Sequence, residues 1–306
     1  MANSIALAKK YSTMLDLVYK QASLTSVLDG AQELVREGYN ANEMVIPILD
    51  MNGLADYSRN DGYVNGDAQL RYETVKCNFD RGRMFQVDEL DNIETGGIAF
   101  GRLGGEFVRT KVVPELDAFR ISKYASKEGI SKDYTTSITT GAKAIEAIRT
   151  ANDAMDNDEV PYEGRILLAT PGIIGSIQDM DTTKSRELLR SFSGIIKMPK
   201  KRFNNKITQL SGTGDYKEGG YSVPEDANPL NFMIIHPSAL IQFNKLVKPK
   251  IISPEANQNA DAWKYGYRLV SIADVYANKL AGVYASVNGT APTAAEDTNT
   301  ETQGNT

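Results

Sequence analysis

From Thr95 to about Lys127 the sequence repeats apolar residues at three- and four-residue steps, Phe100, Leu103 and Phe107, then Val112, Leu116 and Phe119. That spacing predicts one helix, and at 1.5 Å per residue a rod of roughly 50 Å. Thirty residues is long for a globular helix. Pro114 falls in its middle and is expected to kink it, because proline has no donor for the helix ladder.

The helix opens on TGGIAFGRLGG, residues 95–105, with five glycines in eleven positions. Gly96 and Gly101 have the spacing of a phosphate-binding loop, but Arg102 and Leu103 stand where that loop needs a lysine and a hydroxyl. The preceding DELDNIE is acidic and would repel a phosphate. The glycines are therefore read as places where a helix closely approaches another backbone. No other chemistry is offered. One cysteine, Cys77, and one histidine, His236, exclude a disulfide framework within the chain, a Cys/His zinc site and any Ser/His/Asp constellation. His236 is read as a satisfied strand-end residue. DELDNIE and MDNDE match no calcium-loop pattern and are read as solvated or ion-paired faces. Neither an enzyme nor a cofactor is expected.

A second segment constrains the chain from the opposite direction. Asn-Asp-Gly at 60–62 and Asn-Gly at 65–66 are turn signals between a short strand near Leu54–Ser58 and a longer one over Leu70–Asn78. In the longer strand Leu70, Tyr72, Thr74 and Lys76 alternate with Arg71, Glu73, Val75 and Cys77, so neither face is plainly apolar. Such a hairpin cannot be fully buried in its own domain and reads as an arm reaching for a neighbour. Before it, residues 4–37 fit a short amphipathic helix or an arm, and MVIPILD, 44–50, fits an edge strand or an extended connection because of Pro47.

Past residue 134 the text alternates between α and β: SITTGAKAIEAIRTANDAM a helix, RILLATP a buried strand, GIIGSIQ a short helix, NFMIIHP a strand and SALIQFNKL another helix. YGYRLVSIADVYANKLAGVYAS reads as two strands that return to the long helix. Residues 287–306 are rich in Thr, Ala, Asn and Glu and are expected to be a disordered tail. That tail carries three carboxylates and no cation, so the body holds about −2 of the net −5, which does not suggest a free-standing nucleic-acid binder. KMPKKRFNNK is the strongest basic run, an exposed loop or a nucleic-acid patch with Lys200, Lys201 and Arg202 at its centre. No stretch approaches the roughly 18 apolar residues of a membrane span, and no membrane partner is expected.

VDELDNIETGGIAFGRLGGEFVRTKVVPELDAFRISKYAS, SGIIKMPKKRF and PLNFMIIHPSALIQFNKLVKPKIISPEANQNADAWKYGYRLVSIADVYANKLAGVYAS together resemble the major capsid proteins of tailed bacteriophages. These have the Hong Kong 97-type fold shared with encapsulin shells. EFVRTKVVPELDAFRISKYAS and NADAWKYGYR, with Trp263, are the most specific stretches. The resemblance implies an α+β chain: an N-terminal arm over 1–43, an E-loop hairpin with flanking strands over 44–94 and a peripheral-domain spine helix over 95–134. An axial α/β domain over 135–250, returning peripheral strands over 251–286 and the tail over 287–306 complete it. Contacts between copies are then expected at Arg59, Asp61, Tyr63, Arg71, Arg81, Arg83, Gly101 and Gly104, with Lys200, Lys201 and Arg202 facing DNA or a loop. The implied partners are further copies in hexamers and pentamers, packaged double-stranded DNA, and separate scaffolding, portal and decoration proteins. The implied location is the virion capsid, assembled in the cytoplasm of a host bacterium. An encapsulin-type compartment around protein cargo is the alternative. Residues 50–75 contain no lysine, so an isopeptide weld from the hairpin tip is not expected.

Overall fold

A computed structural model describes residues 23–29, 36–37, 43–60, 62–94, 98–134 and 138–290. Most of the expected arm, Asp61 and residues 291–306 lie outside the described residues.

The helical periodicity is realised from Ile98 to Ser126 without a gap, after a separate short helix α1 (Glu89–Glu94). Helix α2 (Ile98–Phe107) and helix α3 (Val113–Ser126) are joined by one π turn, Val108–Val112, in which the Val113 N–H reaches back to the Val108 carbonyl. The π turn stands just before Pro114, where a kink is expected. A widened turn gives the proline ring room and spares the helix the bond that Pro114 cannot make.

Along one side of this helix lies a three-stranded antiparallel sheet in the order β11 (Leu240–Ile252), β12 (Ala262–Val275), β4 (Phe79–Asp88). Its inner face presents Phe85, Val87, Tyr265, Tyr267 and Leu269 to Leu103, Phe107, Val112 and Leu116 of the helix. Leu116 and Leu269 are almost wholly removed from water, worth about 1.5–3 kcal/mol each.

A five-stranded sheet of order β5-β13-β10-β6-β7 forms the second unit, with β5 (Ser131–Tyr134), β6 (Ile166–Ala169), β7 (Gly194–Lys197), β10 (Leu230–Ile235) and β13 (Val283–Val287). Alternation sorts its side chains. Leu167, Phe232 and Ile234 face helices α4 (Gly141–Asn157), α5 (Pro171–Asp179) and α6 (Thr183–Arg190). Leu168, Met233 and Ile235 face the core shared with the long helix. A two-stranded ribbon, β8 (Thr208–Gln209) and β9 (Tyr221–Ser222), is an excursion between β7 and β10.

The remaining strands form the arm. β1 (Arg36–Glu37), β2 (Glu43–Met51) and β3 (Ala68–Lys76) make a separate antiparallel sheet.

Four expectations change. The partner of the 70–78 strand is β2, in register from Glu43↔Lys76 to Met51↔Ala68, and not a strand near Leu54–Ser58. Among the described residues β1 pairs with Met44 and Val45 alone, and Pro47 lies opposite Tyr72 of β3. SALIQFNKL is not a helix: after a 3-10 turn at Pro237–Ala239 it becomes the edge strand β11, so 240–250 belongs to the three-stranded sheet rather than the α/β block. The two strands expected over 263–286 are divided, β12 joining the helix-backed sheet and β13 the five-stranded one.

Candidate assembly surfaces

The hairpin stands on a small apolar base. Val75 and Cys77, at the end of β3, pack on Ile241, Phe243 and Ile272 on the outer face of the three-stranded sheet. Beyond that base Ala68–Tyr72 of β3 are exposed, and the hairpin ends in a loop, residues 52–67, closed by Asn52 N–H donating to the Asp67 carbonyl at 3.1 Å. Within the loop Ser58 and Gly62 exchange backbone bonds at 3.2 and 2.8 Å, and Gly62 takes the left-handed φ of +81° that the Asn-Asp-Gly signal anticipated. The turn brings Tyr57 and Tyr63 edge to face, 4.9 Å between ring centroids. Leu54 is fully exposed, Tyr63 is 88% exposed, and Tyr57, Val64, Leu70 and Tyr72 are all open to solvent. Six large apolar and aromatic side chains left exposed on one hairpin and its loop are the kind of surface that interaction sites present. Arg59 and Arg71 are exposed beside it.

A second open surface is the outer face of the three-stranded sheet. Register places Lys248 beside Arg268 and Gly82, and Lys250 beside Gly266 and Met84. Lys248, Lys250 and Met84 are exposed, while Arg268 is held by Asp80 through two bonds of 2.9 and 2.6 Å, which lowers the Asp80 carboxyl below its usual range. A side chain at Gly82 would press on the Tyr267 carbonyl at 2.9 Å, so this face is flat where the strands touch. It is also predominantly basic, whereas the 52–67 loop carries Asp56, Asp61 and Asp67 against Arg59 alone.

Other expected contact residues are engaged inside the chain. Gly104 lies against the buried Tyr265 ring, 3.1 Å from where a Cβ would sit, so the close approach is to a side chain and not to the backbone expected, and at Gly105 nothing lies within 4 Å. Gly101 is in α2. Arg81 forms an ion pair with Glu115 at 2.8 Å and donates to the carbonyls of Leu210 and Gly220. Arg83 donates to the carbonyls of Lys217 and Glu218. The basic run is divided: Lys200 and Lys201 are exposed, while Arg202 turns towards the buried Asp117, 3.5 Å away. His236 is bonded through both ring nitrogens, to Ser238 at 2.7 Å and the Glu163 carbonyl at 3.0 Å. No group of His, Cys, Asp or Glu that could hold a metal occurs among the described residues, nor any helix long and apolar enough to cross a membrane.

Sequence reasoning missed a buried polar stripe on α3. Asp117, wholly buried, accepts from the Ser23 hydroxyl at 2.9 Å, the Thr25 hydroxyl at 2.6 Å and the backbone N–H groups of Leu24 and Thr25. Arg120, one turn on and equally buried, donates to Thr25 and Asn244 and pairs with Asp29 at 3.3 Å. Tyr124 donates to Gln242 at 2.6 Å, and Gln242 in turn donates to the Thr25 carbonyl and Asp29. Leu28 fills the apolar end of the cradle. The i, i+3, i+7 spacing of Asp117, Arg120 and Tyr124 is the signal that could have found it.

No family model and no curated protein sequence matches the chain. Solved structures do. A virus-like particle from Pyrococcus furiosus superimposes with a TM-score of 0.58 at 14% identity, over 92% of this chain and 99% of that one. Gordonia phage Cozz gives 0.57 at 13% identity, over 88% and 87%. The asymmetric unit of the bacteriophage PhiM1 mature capsid gives 0.53 at 12% identity, over 82% and 83%. The chain thus has the α+β fold of these capsid structures, the Hong Kong 97-type fold.

Proposed function

We propose that this chain is the major capsid protein of a tailed bacteriophage, with a structural rather than a catalytic role. Its copies form hexamers and pentamers of an icosahedral shell, the virion capsid, around double-stranded DNA. The observation that carries the reading is the hairpin Glu43–Lys76, which exposes Leu54, Tyr57, Tyr63 and Val64 to water on a fold matched by phage capsids. An isolated subunit gains nothing from solvating that surface, whereas a neighbouring copy can bury it. In this reading the hairpin is the E-loop, Ile98–Ser126 the spine helix of a peripheral domain, and the five-stranded unit the axial domain. Arg59, Asp61, Tyr63 and Arg71 contact the next copy, and the basic, uncovered sheet face around Lys248 and Lys250 complements the acidic loop in charge. Lys200 and Lys201 are the basic residues left to face DNA. Assembly takes place in the host cytoplasm, with scaffolding, portal and decoration functions on separate proteins.

Light scattering and electron microscopy of the expressed chain, with and without a co-expressed scaffolding protein, are expected to give shells, capsomers or tubes. A chain that stays monomeric under every condition would overturn the reading. The match to the Pyrococcus furiosus virus-like particle favours a second reading, a compartment around protein cargo. Particles from the native source that contain protein and no DNA would select it.

A further inference from the structure

We propose that Arg81 and Arg83 are a clasp that makes the hairpin root and the five-stranded unit move as one body. β4 follows β3 after only Cys77 and Asn78, and the Asn78 side chain is fixed to β12 from both ends, donating to the Ala273 carbonyl at 2.7 Å and accepting from its N–H at 3.1 Å. Displacement of the hairpin root therefore reaches β4 directly. Three and five residues further on, Arg81 and Arg83 interrupt the inner face of β4 between Phe79 and Phe85, which both pack in the core, and stand about 6.8 Å apart. Their forks take four backbone carbonyls from one loop: Leu210 at 2.7 Å, Gly220 at 3.1 Å, Lys217 at 2.8 Å and Glu218 at 3.1 Å. That loop is the excursion between β7 and β10, two strands of the five-stranded sheet.

The loop is shaped for this grip. Gly212, Gly214, Gly219 and Gly220 all have left-handed φ, +79°, +60°, +66° and +80°, so the backbone curls and offers its carbonyls to one side. A Cβ at Gly219 would lie 3.0 Å from Arg83 Nη1, and one at Gly212 3.4 Å from it. Glu115 of the long helix holds the remaining edge of Arg81, and Arg202, leading into the same excursion, reaches Asp117 two residues along that helix. Strand, helix and loop thus meet at one guanidinium. Arg81 holds Glu115 through Nε and both its carbonyls through Nη2, and Arg83 spreads its two carbonyls over Nη1 and Nη2, so the single nitrogen of a lysine could not make either set of contacts in full. The clasp is internal to one chain, so it stands or falls independently of shell formation.

The test is hydrogen exchange on the full chain carrying Arg83→Lys, and separately Arg81→Lys. Expected is a tenfold or greater acceleration at the amides of Leu210 and Gly219, together with a several-fold acceleration at Val75 and Lys76 in the hairpin root, while α4 is unchanged. Acceleration confined to the 210–220 loop in both variants would overturn the proposal, since the arginines would then merely anchor that loop. A uniform acceleration through α4 in both would overturn it as well, because it reports loss of the fold.

Discussion

Thr25 and Asp117 are joined by a 2.6 Å hydrogen bond between side chains that are both fully withdrawn from water and 92 residues apart in sequence. Asp117 has no solvent to fall back on, and its charge is balanced by donors from 23–25 and by Arg202. Asp117→Ala leaves those donors and Arg202 without their acceptor, and a loss of about 3–5 kcal/mol is expected. Thr25→Val removes one of the donors to Asp117 and one of the acceptors of Arg120, and should cost about 1–3 kcal/mol. Urea titration of the unassembled chain measures both, and equal small losses would contradict the ranking.

Gly104→Val should destabilise the chain by about 1–3 kcal/mol, because the new side chain is driven into the Tyr265 ring. Its neighbour is the control. Nothing lies within 4 Å of a Cβ at Gly105, so Gly105→Ala should raise stability by about 0.5–1 kcal/mol through helix propensity. Thermal melting of the two variants checks the contrast.

Replacing residues 53–66 by Asn-Gly should leave the unfolding midpoint of the subunit unchanged, since Asn52 and Asp67 already meet across the loop and the exposed side chains support nothing beneath them. Assembly should be lost. Light scattering and electron microscopy read the second effect, and normal shells from this variant would remove the hairpin from the interface.

Burial raises the Glu115 carboxyl above the ordinary glutamate range, and the Arg81 charge opposes the rise. A carboxyl with a folded pKa above its unfolded one binds its proton more tightly in the folded chain. Stability therefore falls as pH rises from the ordinary glutamate value through the raised one, and is level above it. Glu115→Gln should abolish that fall while leaving other slopes intact. Parallel stability curves for the two chains between acid and neutral pH would count against the assignment.

Where local pattern and tertiary environment agreed, the sequence was sufficient. The 98–126 helix, α4, β6 and β10 follow from periodicity and from apolar runs buried on both faces. β11 was misread because Leu240, Phe243 and Leu246 fall at helical steps, and Pro249 points to a strand only once β11 is known to be an edge. The hairpin partner was misplaced because turn signals mark the loop and not the strands that it closes. The α3 stripe stayed hidden for a different reason. Asp117 and Arg120 look like the solvent side of an amphipathic helix, and only a segment more than ninety residues away shields them. Arg81 and Arg83 likewise gave no hint of their acceptors, which are backbone carbonyls and leave no mark in sequence.

β13 pairs in parallel with β5 on one side and antiparallel with β10 on the other, so residues 283–287 lie inside the five-stranded sheet between strands made much earlier. During synthesis the sheet stays split, with β5 stranded from β10, until Val287 has cleared the ribosome. Partners so distant in sequence make for slow folding, and the nascent chain has to wait with two unpaired strand edges, a period in which a chaperone rather than a second subunit is the safer companion.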